Sequence, residues 1–127
     1  MSITAIALAR DAIHISDSLC RCVAVVARDG AVRATYGHQQ LGQPGAIAID
    51  RHERVFVADV FDHSVKVFAA GRLIDNVPAA ALGVREVSGL WVSESRLVVA
   101  DGAGARVAVL RIAPPRSSES RDGGRDR

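Results

Sequence analysis

PGAIAIDRHERVFVADVFDHSVKVF, residues 44–68, is the stretch that decides the fold. It holds short apolar runs broken by polar turns, and the aspartate that closes one of them, Asp59, is not alone. Asp17 precedes it and Asp101 follows it at equal intervals. The register holds around all three. Two residues earlier come Ile15, Val57 and Val99; four earlier come Ile13, Val55 and Leu97. Six residues later come Val23, Val65 and Val107; eight later come Val25, Val67 and Val109. A fixed period of roughly 40–45 residues, with about four short strands per unit, is the signature of a β-propeller blade.

Working outward, the first unit predicts strands at about 3–9, 12–16, 22–27 and 31–36. Alternation is plain in Ile13-His14-Ile15 and again in Val23-Ala24-Val25. Asp29-Gly30 marks the hairpin between the last two. GHQQLGQPG, residues 37–45, is a polar connection punctuated by glycine and proline. The second unit predicts strands at about 45–50, 54–58, 64–69 and 72–76, and PAAALG at 78–83 reads as a helical turn. The third unit predicts strands at about 88–93, 96–100 and 106–112. It has no fourth strand, because Pro114-Pro115 cannot donate to a ladder. The expected class is therefore all-β: three blades of three to four antiparallel strands over residues 1–113, at about 3–36, 45–76 and 88–112. Residues 114–127 read as a disordered charged tail. The first strand of each unit is rich in small residues, as suits a strand lining a crowded channel.

PGAIAIDRHERVFVADVFDHSVKVF resembles the NHL repeat: a Pro-x-Gly-Ile-Ala-x-Asp opening, a Val-Ala-Asp strand end and an Asn-His-Arg-Ile-x-x-Phe third strand. Here Ala46 is inserted where glycine often sits, and Asp62-His63-Ser64-Val65 replaces Asn-His-Arg-Ile. ISDSLCRCVAVV at 15–26 and VADGAGARVAVL at 99–110 follow the pattern more loosely, so the similarity covers about 3–112. The resemblance implies a propeller that usually has six blades and serves as a protein- or RNA-binding scaffold. Relatives of that architecture include calcium-holding lactonases and arylesterases, and peptidyl-hydroxyglycine lyases. Their metal ligands come from several blades, and this chain has too few Asn, Glu and His residues on its expected inner strands to receive them. No catalytic residue, metal or cofactor is carried over.

Three blades make half of a six-bladed ring, and an open arc exposes an apolar flank at each end. A homodimer about a two-fold axis closes it, blade one of each copy packing on blade three of the other. The alternatives are a second half-propeller chain, or a fragment of a longer propeller. The leading functional expectation is a non-catalytic scaffold that dimerises and presents a polar loop face to a protein or small ligand. The alternative is a metal-dependent lactonase- or arylesterase-type hydrolase with its site completed by oligomerisation.

Composition narrows the partners. The net charge is +2, acidic and basic residues are mixed, and aromatics are 4% of the 127 residues. With no basic stripe and few stacking platforms, nucleic acid is not the expected partner. No apolar run reaches membrane-spanning length, and MSITAIALARD carries Arg10 and Asp11 inside any signal-like core. The expectation is a cytoplasmic protein, with Cys20 and Cys22 as reduced thiols on a strand.

Among single residues, Asp17, Asp59 and Asp101 are expected to cap the turn after the second strand, as Asp does in Asx-turns. Losing such a cap costs about 1 kcal/mol. Their recurrence argues against a site, since function usually breaks internal symmetry. Arg21, His38, Gln39, Gln40, Asp62 and His63 fall on loops that share one propeller face, and they form the candidate ligand face. Trp91 is expected to pack on a neighbouring blade or into the channel.

Overall fold

The computed structural model describes residues 1–115; the charged tail from residue 116 onward lies outside the described residues. Among the described residues, eleven strands form three antiparallel sheets. Blade one holds β1 (Ile3–Leu8), β2 (Ile13–Asp17), β3 (Cys22–Val26) and β4 (Val32–Tyr36). Blade two holds β5 (Pro44–Ile49), β6 (Val55–Asp59), β7 (Ser64–Ala69) and β8 (Arg72–Pro78). Blade three holds β9 (Val87–Ser93), β10 (Arg96–Asp101) and β11 (Arg106–Arg111). Each strand falls within two residues of the range that alternation predicts. The turn at 78–83 is a 3-10 helix, Ala79–Leu82, closed by Gly83 in the left-handed region at φ 77°.

Within each sheet the strands run in chain order, so every connection is a hairpin. The first strands β1, β5 and β9 lie side by side along the inner edge of the arc, with β5 in the middle. Their small residues permit that approach, and Thr4 Oγ1 donates across it to the Pro44 carbonyl at 2.9 Å.

Two apolar seams hold the blades together. Val23, Leu41, Ile47, Val55, Val57 and Phe68 fill the seam between blades one and two, where Tyr36 lies tilted against Phe68. Phe56, Ala58, Val65 and Val67 meet Val87, Leu97 and Val99 in the seam between blades two and three. Successive strand residues point to opposite faces, so the middle strands of blade two, β6 and β7, are buried on both sides and nearly continuously apolar, while the outer β8 is mostly exposed. Blades one and three each have only one such neighbour.

Trp91 departs from expectation: it is 61% exposed. Its strand neighbours Leu90 and Val92 pack into the seam with blade two, so alternation turns Trp91 to the opposite face of blade three. The cysteines also depart from it. Cys20 lies in the β2–β3 turn rather than on a strand, and it is joined to Cys22 in a disulfide. Free thiols are the expectation because a disulfide at so short a spacing demands strained geometry on an extended strand. The turn relieves it, since Arg21 takes a left-handed conformation (φ 56°) and sets the two Cα atoms 5.3 Å apart.

Candidate functional site

The loop face is built from a repeated turn. After the second strand of each blade the chain passes through a left-handed residue: Arg21, His63 or Ala105, at φ 56°, 55° and 51°. The aspartate at the strand end organises it. Asp17 Oδ1 accepts from the Leu19 amide, Asp59 Oδ1 from the Phe61 amide and Asp101 Oδ1 from the Ala103 amide. Each aspartate also reaches the segment that enters its own blade. Asp17 accepts from the Ser2 amide, Asp59 from the Gly42 and Gln43 amides, and Asp101 from the Arg85 and Glu86 amides. The second set of bonds has no trace in an Asx-turn pattern, because the donors lie far upstream, just before the first strand of each blade. For Asp17 the Ser2 amide is the leading cause that holds the carboxyl below its ordinary range. Burial would raise the Asp101 carboxyl, but four backbone amides outweigh it and hold it low.

Between the turns of blades one and two lies an open depression of about 600 Å³. Cys20 and Arg21 line it from the blade-one turn, residues 38–42 from the connection between the blades, and Asp59, Phe61 and Asp62 from the blade-two turn. Of the loop residues picked out in the sequence, Arg21, His38, Gln39, Gln40 and Asp62 line it. His63 does not. It occupies in blade two the position of Arg21 in blade one, and its carbonyl accepts from the Ala79 amide at 2.8 Å, continuing the β7–β8 pairing of its own blade. His38 is held by Thr35, Nε2 to Oγ1 at 2.8 Å. Gly42 is required in that connection: a Cβ there would stand 2.7 Å from the Phe61 Cβ.

The blade-two turn conceals a buried charge cluster. Lys66 is only 4% exposed. Its Nζ donates to Asp59 Oδ2 at 2.8 Å, Asp62 Oδ2 at 2.8 Å and Ser64 Oγ at 3.0 Å, and Ser64 Oγ donates to Asp62 Oδ1 at 2.6 Å. Burial alone would lower the Lys66 pKa, but the two carboxylates outweigh it and hold it above the ordinary lysine range. Burial would likewise raise Asp59, but Lys66 and three backbone amides hold it low. The pair is therefore ionised at neutral pH. Sequence reasoning passed over Lys66, although a signal was present. It is the only lysine in the chain, and it stands where the repeat places Ala24 and Ala108.

Among the described residues no group of three or more His, Cys, Asp or Glu side chains is placed to hold a metal ion. No helix among them is long and apolar enough to cross a membrane.

No protein-family profile matches the chain, and no curated protein sequence does. Solved structures match in shape. A catalytically inactive virginiamycin B lyase from Staphylococcus aureus, solved with quinupristin, superposes with a TM-score of 0.71 at 12% identity over 87% of this chain. Hydrazine synthase from Kuenenia stuttgartiensis gives 0.61 at 18% identity over 88%. The fold is a partial β-propeller. The chain spans 37% and 36% of the length of those two structures, which at such identities share the fold alone. The computationally designed protein Ika4 gives a TM-score of 0.50 at 16% identity, and there the match covers 88% of this chain and 92% of that one.

Proposed function

We propose that the chain is a non-catalytic binding scaffold, a half-propeller that closes into a ring with a second copy of itself and offers the loop-face depression to a protein or small-molecule ligand. The observation that carries this reading is the register of its two uncovered sheet faces. Phe56, Ala58, Val65 and Val67 are the face that blade two packs on blade three. Moved forward by one repeat, those positions are Val98, Ala100, Val107 and Val109, and Val107 and Val109 stand exposed beside Trp91. On the other side, Val55, Val57 and Phe68 face blade one. Moved back by one repeat they are Ile13, Ile15 and Val26, a small cluster in which Ile15 and Val26 are buried, rimmed by exposed Ile6, Leu8 and Val32 that no other blade covers.

The free face of blade three is thus the leading face of a blade, and that of blade one the trailing face. They complement each other in the sense already used twice inside the chain. Large exposed apolar faces on a domain mark interaction surfaces, and a two-fold axis along the channel satisfies both faces at once.

Light scattering at micromolar concentration tests the reading. The expected mass is twice 13.4 kDa, and a compact monomer overturns it. Trp91→Glu places a charge on the leading face, on its inner strand β9, and should yield a folded monomer with unchanged circular dichroism.

A further inference from the structure

We propose that Cys20 and Cys22 form a reversible dithiol–disulfide couple that exchanges with an external dithiol through Cys20. The inference stands on the repeat and does not depend on ring closure.

The repeat supplies an internal comparison. Cys20 and Cys22 occupy in blade one the positions of Asp62 and Ser64 in blade two, and of Gly104 and Arg106 in blade three. In blade two the same two positions are tied across the left-handed residue by the Ser64 Oγ to Asp62 Oδ1 hydrogen bond. In blade three no such tie joins them; Arg106 instead donates to the Gly83 carbonyl at 2.7 Å. The left-handed residue keeps φ between 51° and 56° in all three. One backbone therefore accepts a covalent link, a hydrogen bond or neither. The disulfide is not what shapes the turn, and opening it demands little rearrangement.

Access to the two sulfurs is unequal. Cys20 is exposed and lines the depression, whereas Cys22 is 0% exposed. Arg21 stands between them in sequence and lines the same depression, a cation beside the path of an incoming thiolate. The geometry leads to one order of events. A thiolate of the dithiol attacks Cys20 Sγ; the S–S bond breaks, and Cys22 Sγ leaves with the electron pair and takes up a proton. The second thiolate of the dithiol then attacks its own sulfur in the mixed disulfide, closes a cyclic disulfide and releases Cys20, which is protonated in turn. The protein disulfide is reduced, the dithiol is oxidised, and two protons pass to the cysteines.

Single-cysteine variants of the full chain test the order of events, with oxidised glutathione as the probe and intact mass as the readout. Cys22→Ser leaves the exposed sulfur and should form a mixed disulfide at least about tenfold faster than Cys20→Ser, which leaves the buried one. Equal rates, or faster reaction of Cys20→Ser, overturn the proposal. The wild-type chain is then titrated with dithiothreitol, alkylated and melted. The expected result is two alkylated thiols per reduced chain, full return of the disulfide on reoxidation, and a cooperative melt in both states. Unfolding on reduction shows the link to be structural and overturns the proposal, as does a chain that is fully alkylated before any reductant is added.

Discussion

Asp59 and Lys66 show how one residue changes the weight of another that the repeat makes look ordinary. As a turn cap alone, Asp59 is worth about 1 kcal/mol. Its Oδ2 also takes the buried Lys66 ammonium at 2.8 Å. Removing one partner of a buried pair leaves an uncompensated charge, which costs about 3–5 kcal/mol. Asp59→Ala is thus expected to destabilise by about 3 kcal/mol, softened by the Asp62 carboxylate that Lys66 retains. Asp17→Ala lacks a buried ammonium partner and should cost about 1 kcal/mol. Lys66→Met leaves the buried Asp59 carboxylate without its cation and beside Asp62, and should cost about 3 kcal/mol, softened by the three backbone amides that Asp59 retains. In a denaturation cycle, Asp59→Ala should cost less in the Lys66→Met background, by about 1–3 kcal/mol. Additive effects would show that the contact carries no coupling.

The same pair sets a pH window. Asp59 is held below its ordinary 3.8, so its contribution is present above that value and is lost as pH falls through the lower folded-state pKa. Lys66 is held above its ordinary 10.5, so its contribution is present below that value and is lost as pH rises through the higher folded-state pKa. Melting temperature should be flat through neutral pH and fall on both sides. Lys66→Met should lose the part of the alkaline fall that titration of this lysine produces, and an unaltered alkaline limb would remove Lys66 as its cause.

At the scale of the element, the β2–β3 turn is the unit that repeats most faithfully in geometry and least in chemistry. Arg21, His63 and Ala105 share a left-handed backbone although none is glycine. An L-residue there carries a strain of about 1–2 kcal/mol. Ala105→Gly should therefore stabilise by about 0.5 kcal/mol, relief of strain outweighing the added freedom of the unfolded chain. A melt at lower temperature than wild type would refute that. Gly42→Ala runs the other way: the connection between the blades has no room beside Phe61, and overpacking costs about 1–3 kcal/mol. The strands were legible because alternation and glycine-marked hairpins are local signals, as Val23-Ala24-Val25 and Asp29-Gly30 show. Five of the six loop residues singled out in the sequence line the depression, because loop residues in register fall close together. What stayed hidden depends on contacts across the chain. The Asp59 bonds to Gly42 and Gln43 join segments far apart in sequence. The left-handed turn that brings Cys20 to Cys22 has no glycine to announce it, and Trp91 reads as packed until its uncovered face is seen.

At the scale of the whole molecule, the two uncovered faces are of opposite sense, and this fixes how copies join. Like faces cannot pair as the internal seams do, because the leading face of one blade meets the trailing face of the next. Leu8, 75% exposed on the trailing face, and Trp91 on the leading face are therefore the residues to charge. Leu8→Arg and Trp91→Glu should each give folded monomers, since either one spoils both contacts of a two-fold ring. A head-to-head dimer, by contrast, would lose only one of these surfaces, and one variant would remain dimeric. A tandem chain, two copies joined by a flexible linker from the end of one blade three to the start of the next blade one, tests closure directly. Linking turns the second contact into an intramolecular one with a high effective concentration. The tandem protein should be monomeric, with a melting temperature independent of concentration, while the single chain melts at higher temperature as concentration rises. If the tandem protein still assembles through its outer faces, six blades do not close the ring and the copies join in some other geometry.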